Sequence, residues 1–312
     1  MAPDLPPAVV VLGQTAVGKT RFALALAEEF NGEIVNVDAS AFYRGMDIGT
    51  AKPTPQERAR VPHHLVDIAD PADTITLGQF KDLADAAMAA VTGRGRVPFI
   101  TGGSGLYIHA LVHNYQIPDV TPDPAIREAL EERAERIGAE AFHAELATVD
   151  PQAAAGIHPN NVRRVIRALE VYYNTGEPMS DQQGHGPPRY AFTLIGLERE
   201  TEDLYARIYE RFDRMVARGF AAEVRQLLAA GIDPALPSMS AIGFRELAAV
   251  ERGEIDMEEA ITQMRRSTRR LARHQNSWFT RDDMAIRWID AAAPDALEQA
   301  RSLLDRRLPT EG

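Results

Sequence analysis

Cysteine is absent from the 312-residue sequence, which excludes disulfides, Cys-ligated zinc, iron–sulfur clusters and thiol nucleophiles and suits a reducing compartment. No apolar run approaches the roughly 18 residues that a membrane helix needs, and the short stretch Ala8 to Leu12 lacks the basic flank of a signal peptide. Neither membrane insertion nor export is signalled, so the cytoplasm is the expected compartment. Basic charge is scarce as well: 34 Lys and Arg against 45 Asp and Glu leave a formal charge of −11. That balance looks hostile to nucleic acid, but exposed charges are screened beyond roughly 8 Å at physiological ionic strength, so local clusters decide. What remains is an ordinary globular composition, 45% hydrophobic and 25% charged, in a chain about twice the usual domain size. One large domain with an insertion, or two domains, is expected. No internal repeat or oligomer signal is evident, and a monomer is expected.

The segment AVVVLG at Ala8 to Gly13 reads as a buried strand, followed by a glycine-rich turn and a helix from about Gly18 to Phe30. EIVNVD at Glu33 to Asp38 and Val97 to Thr101 read as further buried strands, the latter ending in the pair Gly102 and Gly103. Short apolar strands alternating with helices indicate a parallel α/β sheet, whose ligands gather at the carboxyl ends of the strands. From about Ile117 to Gly196 the character changes to helical, opened by the proline-rich PDVTPDP and closed by SDQQGHGPP. The expected fold is therefore α/β, a P-loop NTPase-like parallel sheet core with an inserted all-helical domain and a helical C-terminal part. Residues 1–117 and 196–312 form the core in this reading, and 118–195 the insertion.

Gly13 to Thr20, GQTAVGKT, fits the phosphate loop G-x-x-x-x-G-K-[ST] and sits after a buried strand and at a helix start, where the mechanism needs it. Gly13, Gln14, Thr15, Ala16, Val17 and Gly18 would turn backbone N–H groups toward an anion at the positive end of the helix dipole. Lys19 adds a mobile positive charge, and the Thr20 hydroxyl offers a ligand to Mg²⁺ bridging two phosphate groups. The loop specifies a di- or triphosphate. It leaves open whether phosphoryl transfer or loss of diphosphate follows.

Asp38 ends the second strand, beside the cradle, either as a turn cap or as a working carboxylate. Downstream, YRGMDIGTAKP at Tyr43 to Pro53, PHHLVDI at Pro62 to Ile68, GGSGLY at Gly102 to Tyr107, AIGFRE at Ala241 to Glu246 and RRLARHQNSWF at Arg269 to Phe279 follow in order. With Asp38 and the segment from Ile157 to Val171, this series resembles the tRNA dimethylallyltransferases. The resemblance implies transfer of a dimethylallyl group from dimethylallyl diphosphate to N6 of the adenosine at tRNA nucleotide 37, with release of diphosphate. The residues suit that chemistry. Negative charge builds on the leaving diphosphate, which Lys19, the loop amides and Mg²⁺ would stabilise, while adenine N6 needs a base, for which Asp38 is the natural candidate.

By the same resemblance Ser104 occupies a diphosphate-side position usually held by Thr. Arg211 lies within about 60° of the centre of the apolar stripe Leu204, Ile208, Phe212 and Met215, where a charge needs an anionic partner. It matches an arginine the family uses at the diphosphate and is the third catalytic candidate, with Arg207 one turn earlier as the alternate. The resemblance places Asp38, Ala39, Ser40 and Ala41 against the adenine, although the family pattern has Ser and Gln where this chain has Ala39 and Ala41.

Six arginines and no acids lie between Gln263 and Arg281. Helical spacing puts Ile261, Met264, Leu271 and Trp278 on a core stripe and Arg265, Arg266, Arg269, Arg270 and Arg273 opposite, a face suited to tRNA phosphates. Arg163, Arg164 and Arg167 on the insertion form a second basic face. Trp278 and Phe279 read as core aromatics, and His63 and His64, adjacent on an extended segment, point apart. Two other classes compete: a nucleoside or small-molecule kinase, which leaves both basic faces without a role, and a nucleotide-dependent RNA-binding switch, which needs no general base.

Overall fold

The computed structural model describes residues 5–118, 120, 123–279 and 285–308. Within them the chain forms two compact units, one from the described residues up to Val112 and from Pro188 on, the other from those between His113 and Pro187. In the first, β1 (Pro7–Gly13), α1 (Lys19–Glu29), β2 (Gly32–Asn36), α2 (Pro55–Arg60), β3 (His63–His64), α3 (Leu77–Gly93), β4 (Val97–Thr101) and α4 (Gly105–Val112) follow one another. The second unit carries β5 (Tyr115–Gln116), α5 (Pro124–Ile137), α6 (Ala139–Val149), α7 (Pro151–Gly156), α8 (Val162–Thr175), α9 (Met179–Gln182) and β6 (Gly184–His185). The chain then returns as β7 (Ala191–Glu198), α10 (Thr201–Ala217), α11 (Phe220–Ala229), α12 (Phe244–Glu251), α13 (Met257–Gln275), β8 (Ile286–Asp290) and α14 (Ala296–Leu304).

The six strands of the first unit run in the order β3-β2-β4-β1-β7-β8, with every pairing parallel. Ala8 to Leu12 of β1 are fully buried, as a central parallel strand covered on both faces must be. Because α1 carries the chain from β1 past β4 to β2, while β7 lies on the other side of β1, the phosphate loop leaves the sheet where the winding reverses. Such a point opens a crevice at the strand ends.

Two strands fall where the sequence reads as other structure. β7 begins inside the span 118–195 and β8 inside the supposedly helical C-terminal part. β7 is paired along its length to β1, so the break in composition near Gly196 marks the middle of a core strand and not its start. β8, IRWID, closes the sheet edge and buries only Ile286 and Ile289, so its short pattern carries little signal. Asp38 likewise stands two residues beyond β2, capping a 3₁₀ turn at Ala39–Phe42.

The second unit has its own core, in which Phe142, Leu146, Val165 and Leu169 are fully buried. It is not all-helical, since β5 and β6 pair antiparallel. His113, Tyr115 and His185 stack their rings on that ribbon.

Candidate active site

The phosphate loop is held from outside by its carbonyls. Lys19 Nζ donates to Gly13 O at 3.0 Å and Gln14 O at 2.9 Å. Arg207 Nε donates to Ala16 O and Arg199 Nε to Val17 O, each at 3.0 Å. Four carbonyls drawn toward cations turn the loop amides to the other side, which is how a backbone cradle for an anion is made, although the Thr15 and Val17 N–H groups are committed to Gln275 Oε1 and Gln14 O. Gly13 is required by close approach: a Cβ there would stand 2.4 Å from Leu197 O, and its φ is +140°. Gly18, with φ 116°, caps α1.

A cleft of about 760 Å³ opens over this loop. Thr15, Ala16, Gly18, Lys19 and Thr20 line it, whereas Gly13, Gln14 and Val17 shape the loop from behind. Asp38, Ser104, Arg207 and Arg211 line the same cleft, so the structure brings the catalytic candidates together. Burial lowers the Lys19 ammonium from 10.5 to about 8, with Asp38 opposing the shift and Arg211 adding to it. Arg211 is held below its ordinary range mainly by burial, again opposed by Asp38. Among the described residues it makes no hydrogen bond or ion pair. A desolvated, unpaired guanidinium beside an anion cradle is a site prepared for an anion that comes from elsewhere.

Asp38 Oδ1 accepts from Ser40 Oγ at 2.6 Å and Ser40 N at 3.1 Å. Oδ2 has no hydrogen-bond partner among the described residues and faces the Gly103 turn, where an added Cβ would stand 3.0 Å away. One oxygen is therefore anchored and the other available. Tyr107 stacks on Phe80 at 3.9 Å; burial, then the charges of Tyr43 and Asp38, push its hydroxyl up to about 12.

The YRGMDIGTAKP segment forms one wall. Lys52 Nζ pairs with Asp47 at 2.8 Å and Asp67 at 2.6 Å and donates to Tyr43 O. Glu223 of α11 accepts the N–H groups of Asp47, Ile48 and Gly49 at 2.7–3.0 Å. This carboxylate was not singled out by sequence. Its signal was an acid on the same helical face as Phe220, Val224 and Leu227. Arg199 and Gln275 were missed for the same reason, that their partners are backbone atoms far away in sequence.

Several expected nucleic-acid contacts are already committed within the protein. Ala41 is buried, with its N–H on Asp38 O and its carbonyl accepting from Asp67 N, while Ser40 directs both donors to Asp38. Ala39 lines the cleft. Arg167 pairs with Glu170 at 2.9 Å and donates to Val120 O, leaving Arg163 and Arg164 exposed. On α13 the buried face is Ala260, Met264, Thr268, Ala272 and Gln275. Leu271 is 38% exposed and lines the cleft. Met264 faces the core as its spacing requires, but the small Ala260, Thr268 and Ala272, and not Ile261 or Leu271, complete that face where α13 packs on α10 and α12.

That phase brings Arg265 to Asp213 at 3.1 Å, across from α10, and over the ring of Tyr209. Arg269 lies over Tyr205 and Tyr209. Arg266, Arg270 and Arg273 are exposed; Arg281 lies outside the described residues. Trp278 and Phe279 are half-buried, with the Trp278 carbonyl bonded to His109. His63 and His64 bond to Val61 O and Glu33 respectively.

A sequence profile of the IPP transferase family matches residues 41–282. A protein of Roseiflexus sp. (strain RS-1) named tRNA dimethylallyltransferase is 49% identical over 298 residues, which cover 96% of this chain and 97% of that one. Among solved structures, the full-length tRNA isopentenylpyrophosphate transferase of Bacillus halodurans is 40% identical, with a TM-score of 0.71 and 96% of each chain covered. A eukaryotic dimethylallyltransferase captured acting on tRNA is 25% identical, with a TM-score of 0.80 over 98% of this chain and 81% of that one.

Proposed function

The chain belongs to the IPP transferase family, and from that premise we propose that it takes a dimethylallyl group from dimethylallyl diphosphate and places it on N6 of the adenosine at tRNA nucleotide 37. Prenyl transfer to tRNA is its activity. The observation that carries the finer reading is the meeting of Lys19, Arg211 and Asp38 in one cleft.

In this reading the loop amides, Lys19 and Arg211 hold the donor diphosphate and stabilise the charge that grows on it as the bond to the allylic carbon breaks. Ser104, which lines the same cleft, would donate its hydroxyl to the diphosphate. Asp38 Oδ2, free of other bonds, takes the proton from N6 as the nitrogen attacks. The Thr20 hydroxyl, exposed at the start of α1, would hold a Mg²⁺, which would supply neutralisation of leaving-group charge. Among the described residues no group of three or more acidic or histidine side chains is arranged to hold a metal by itself, so the ion would arrive with the donor.

Arg266, Arg270 and Arg273 on α13, with the half-buried Arg265 and Arg269 behind them, supply a basic face for tRNA phosphates, and Arg163 and Arg164 supply another on the second unit. The protein would act as a monomer in the cytoplasm. No helix among the described residues is long and apolar enough to cross a membrane. Incubation with tRNA, Mg²⁺ and either labelled dimethylallyl diphosphate or radiolabelled ATP tests the reading: label from the prenyl donor enters tRNA at nucleotide 37, and label from ATP does not. Preferred modification of free AMP over tRNA would contradict it.

A further inference from the structure

We propose that Gln275 is a positioning residue of the donor site, whose side-chain amide sets the gap between the phosphate loop and the Gly102–Gly103 turn. The proposal rests on the reading that the cleft holds a diphosphate. Gln275 is the last residue of α13 and lies on its buried face, one turn after Ala272. Its Oε1 accepts from Thr15 N at 2.7 Å, and its Nε2 donates to Gly103 O at 2.9 Å. A turn earlier, Ala272 O accepts from Gln14 Nε2 at 3.1 Å. Three hydrogen bonds thus tie the end of the arginine-bearing helix to the two strand-end loops that bound the cleft.

The chemistry of the side chain fits the task. One loop presents a donor and the other an acceptor, and a primary amide carries one of each on a rigid fork. A carboxylate would meet the Thr15 N–H but repel the Gly103 carbonyl, and an apolar side chain would leave both loop groups unpaired. The Gly103 turn is itself confined: a Cβ there would stand 3.0 Å from Asp38 Oδ2 on one side and 3.3 Å from Gln275 Nε2 on the other. Any shift of that turn therefore moves the surroundings of the free Asp38 oxygen as well as the cradle. Gln275 acts through Thr15 and Gly103 and needs no contact with substrate.

Two variants test this. Gln275→Met keeps the length and removes both bonds; Gln275→Asn stays polar but is one methylene short of spanning both loops, and it serves if the first does not fold. Binding of inorganic diphosphate is measured by calorimetry without tRNA, and the KM values for donor and for tRNA are measured in the transfer assay. The diphosphate dissociation constant and the donor KM are expected to rise about tenfold, the size of a lost hydrogen bond in a binding constant, with the tRNA KM changed by less than about twofold. Unchanged diphosphate affinity in the folded variants, or donor and tRNA KM values rising in parallel, would overturn the proposal. The titration needs no turnover, so a protein that binds diphosphate without prenylating tRNA would count against the proposed function alone.

Discussion

Ser40 orients Asp38: its hydroxyl and its N–H both reach Oδ1, at 2.6 and 3.1 Å, and leave Oδ2 open to the cleft. In this chain Ala39 and Ala41 flank that serine, so neither neighbour can replace its hydroxyl. Ser40→Ala is expected to lower kcat about tenfold, the scale of one hydrogen bond to a charged group, with diphosphate affinity unchanged. Ser40→Thr, which keeps the hydroxyl, should restore most of the loss. Steady-state kinetics on the three proteins checks it.

Lys19 gives the site an alkaline limit. Its ammonium titrates near 8 because burial disfavours the charge, so it is charged below that pH and neutral above. A bound diphosphate favours the charged form. Donor kcat/KM, which reports the free enzyme, should therefore fall as pH rises through about 8, and donor binding above that pH should take up a proton. Lys19→Arg should remove this limb from the profile.

Arg211 makes no hydrogen bond or ion pair among the described residues, and Asp38 nearby only opposes the cost of its burial, so an anionic ligand would offset the remainder. Arg211→Met is expected to lower kcat by roughly 10²–10³, as loss of a preorganised donor does, while the melting temperature stays level or rises. Thermal denaturation alongside kinetics separates the two effects. A fall in both would mean that Arg211 is structural.

The two classes of arginine should behave differently. Charge reversal at the exposed Arg266, Arg270 and Arg273 should raise the tRNA KM and flatten its salt dependence. Arg167→Glu should instead destabilise the second unit, because it leaves the buried Glu170 facing a like charge. Binding measured across a salt series, with melting curves for each variant, decides.

The phosphate loop, the sheet class and the placing of Asp38 and Arg211 on the cleft were legible because each rests on local pattern: a strand-loop-helix around Gly13 to Thr20, a carboxylate at a strand end, a charge inside the apolar stripe of α10; Ser104 was read from the family resemblance alone. Leu204, Ile208, Phe212 and Met215 are all buried as that stripe requires. On α13 Met264 is buried as its spacing requires, but the rest of the stripe is displaced because Ala260, Thr268 and Ala272, which carry little hydrophobic signal, complete the core face while the larger Leu271 faces the cleft. β7 and β8 escaped because both are defined by pairing between distant segments, Pro7 with Ala191 and Leu194 with Ile286, and not by local pattern. Arg199, Glu223 and Gln275 bind backbone groups of distant loops, and nothing in their own neighbourhoods records the partner.

In the proposed reaction Asp38 Oδ2 removes the proton from the attacking nitrogen while the cradle holds the departing diphosphate. Asp38→Asn tests it most directly, in single-turnover transfer from labelled dimethylallyl diphosphate to tRNA. The rate is expected to fall at least about 10²-fold, the lower range for a lost general base, with tRNA and diphosphate affinities near those of the unaltered protein. Transfer at an undiminished rate would contradict it.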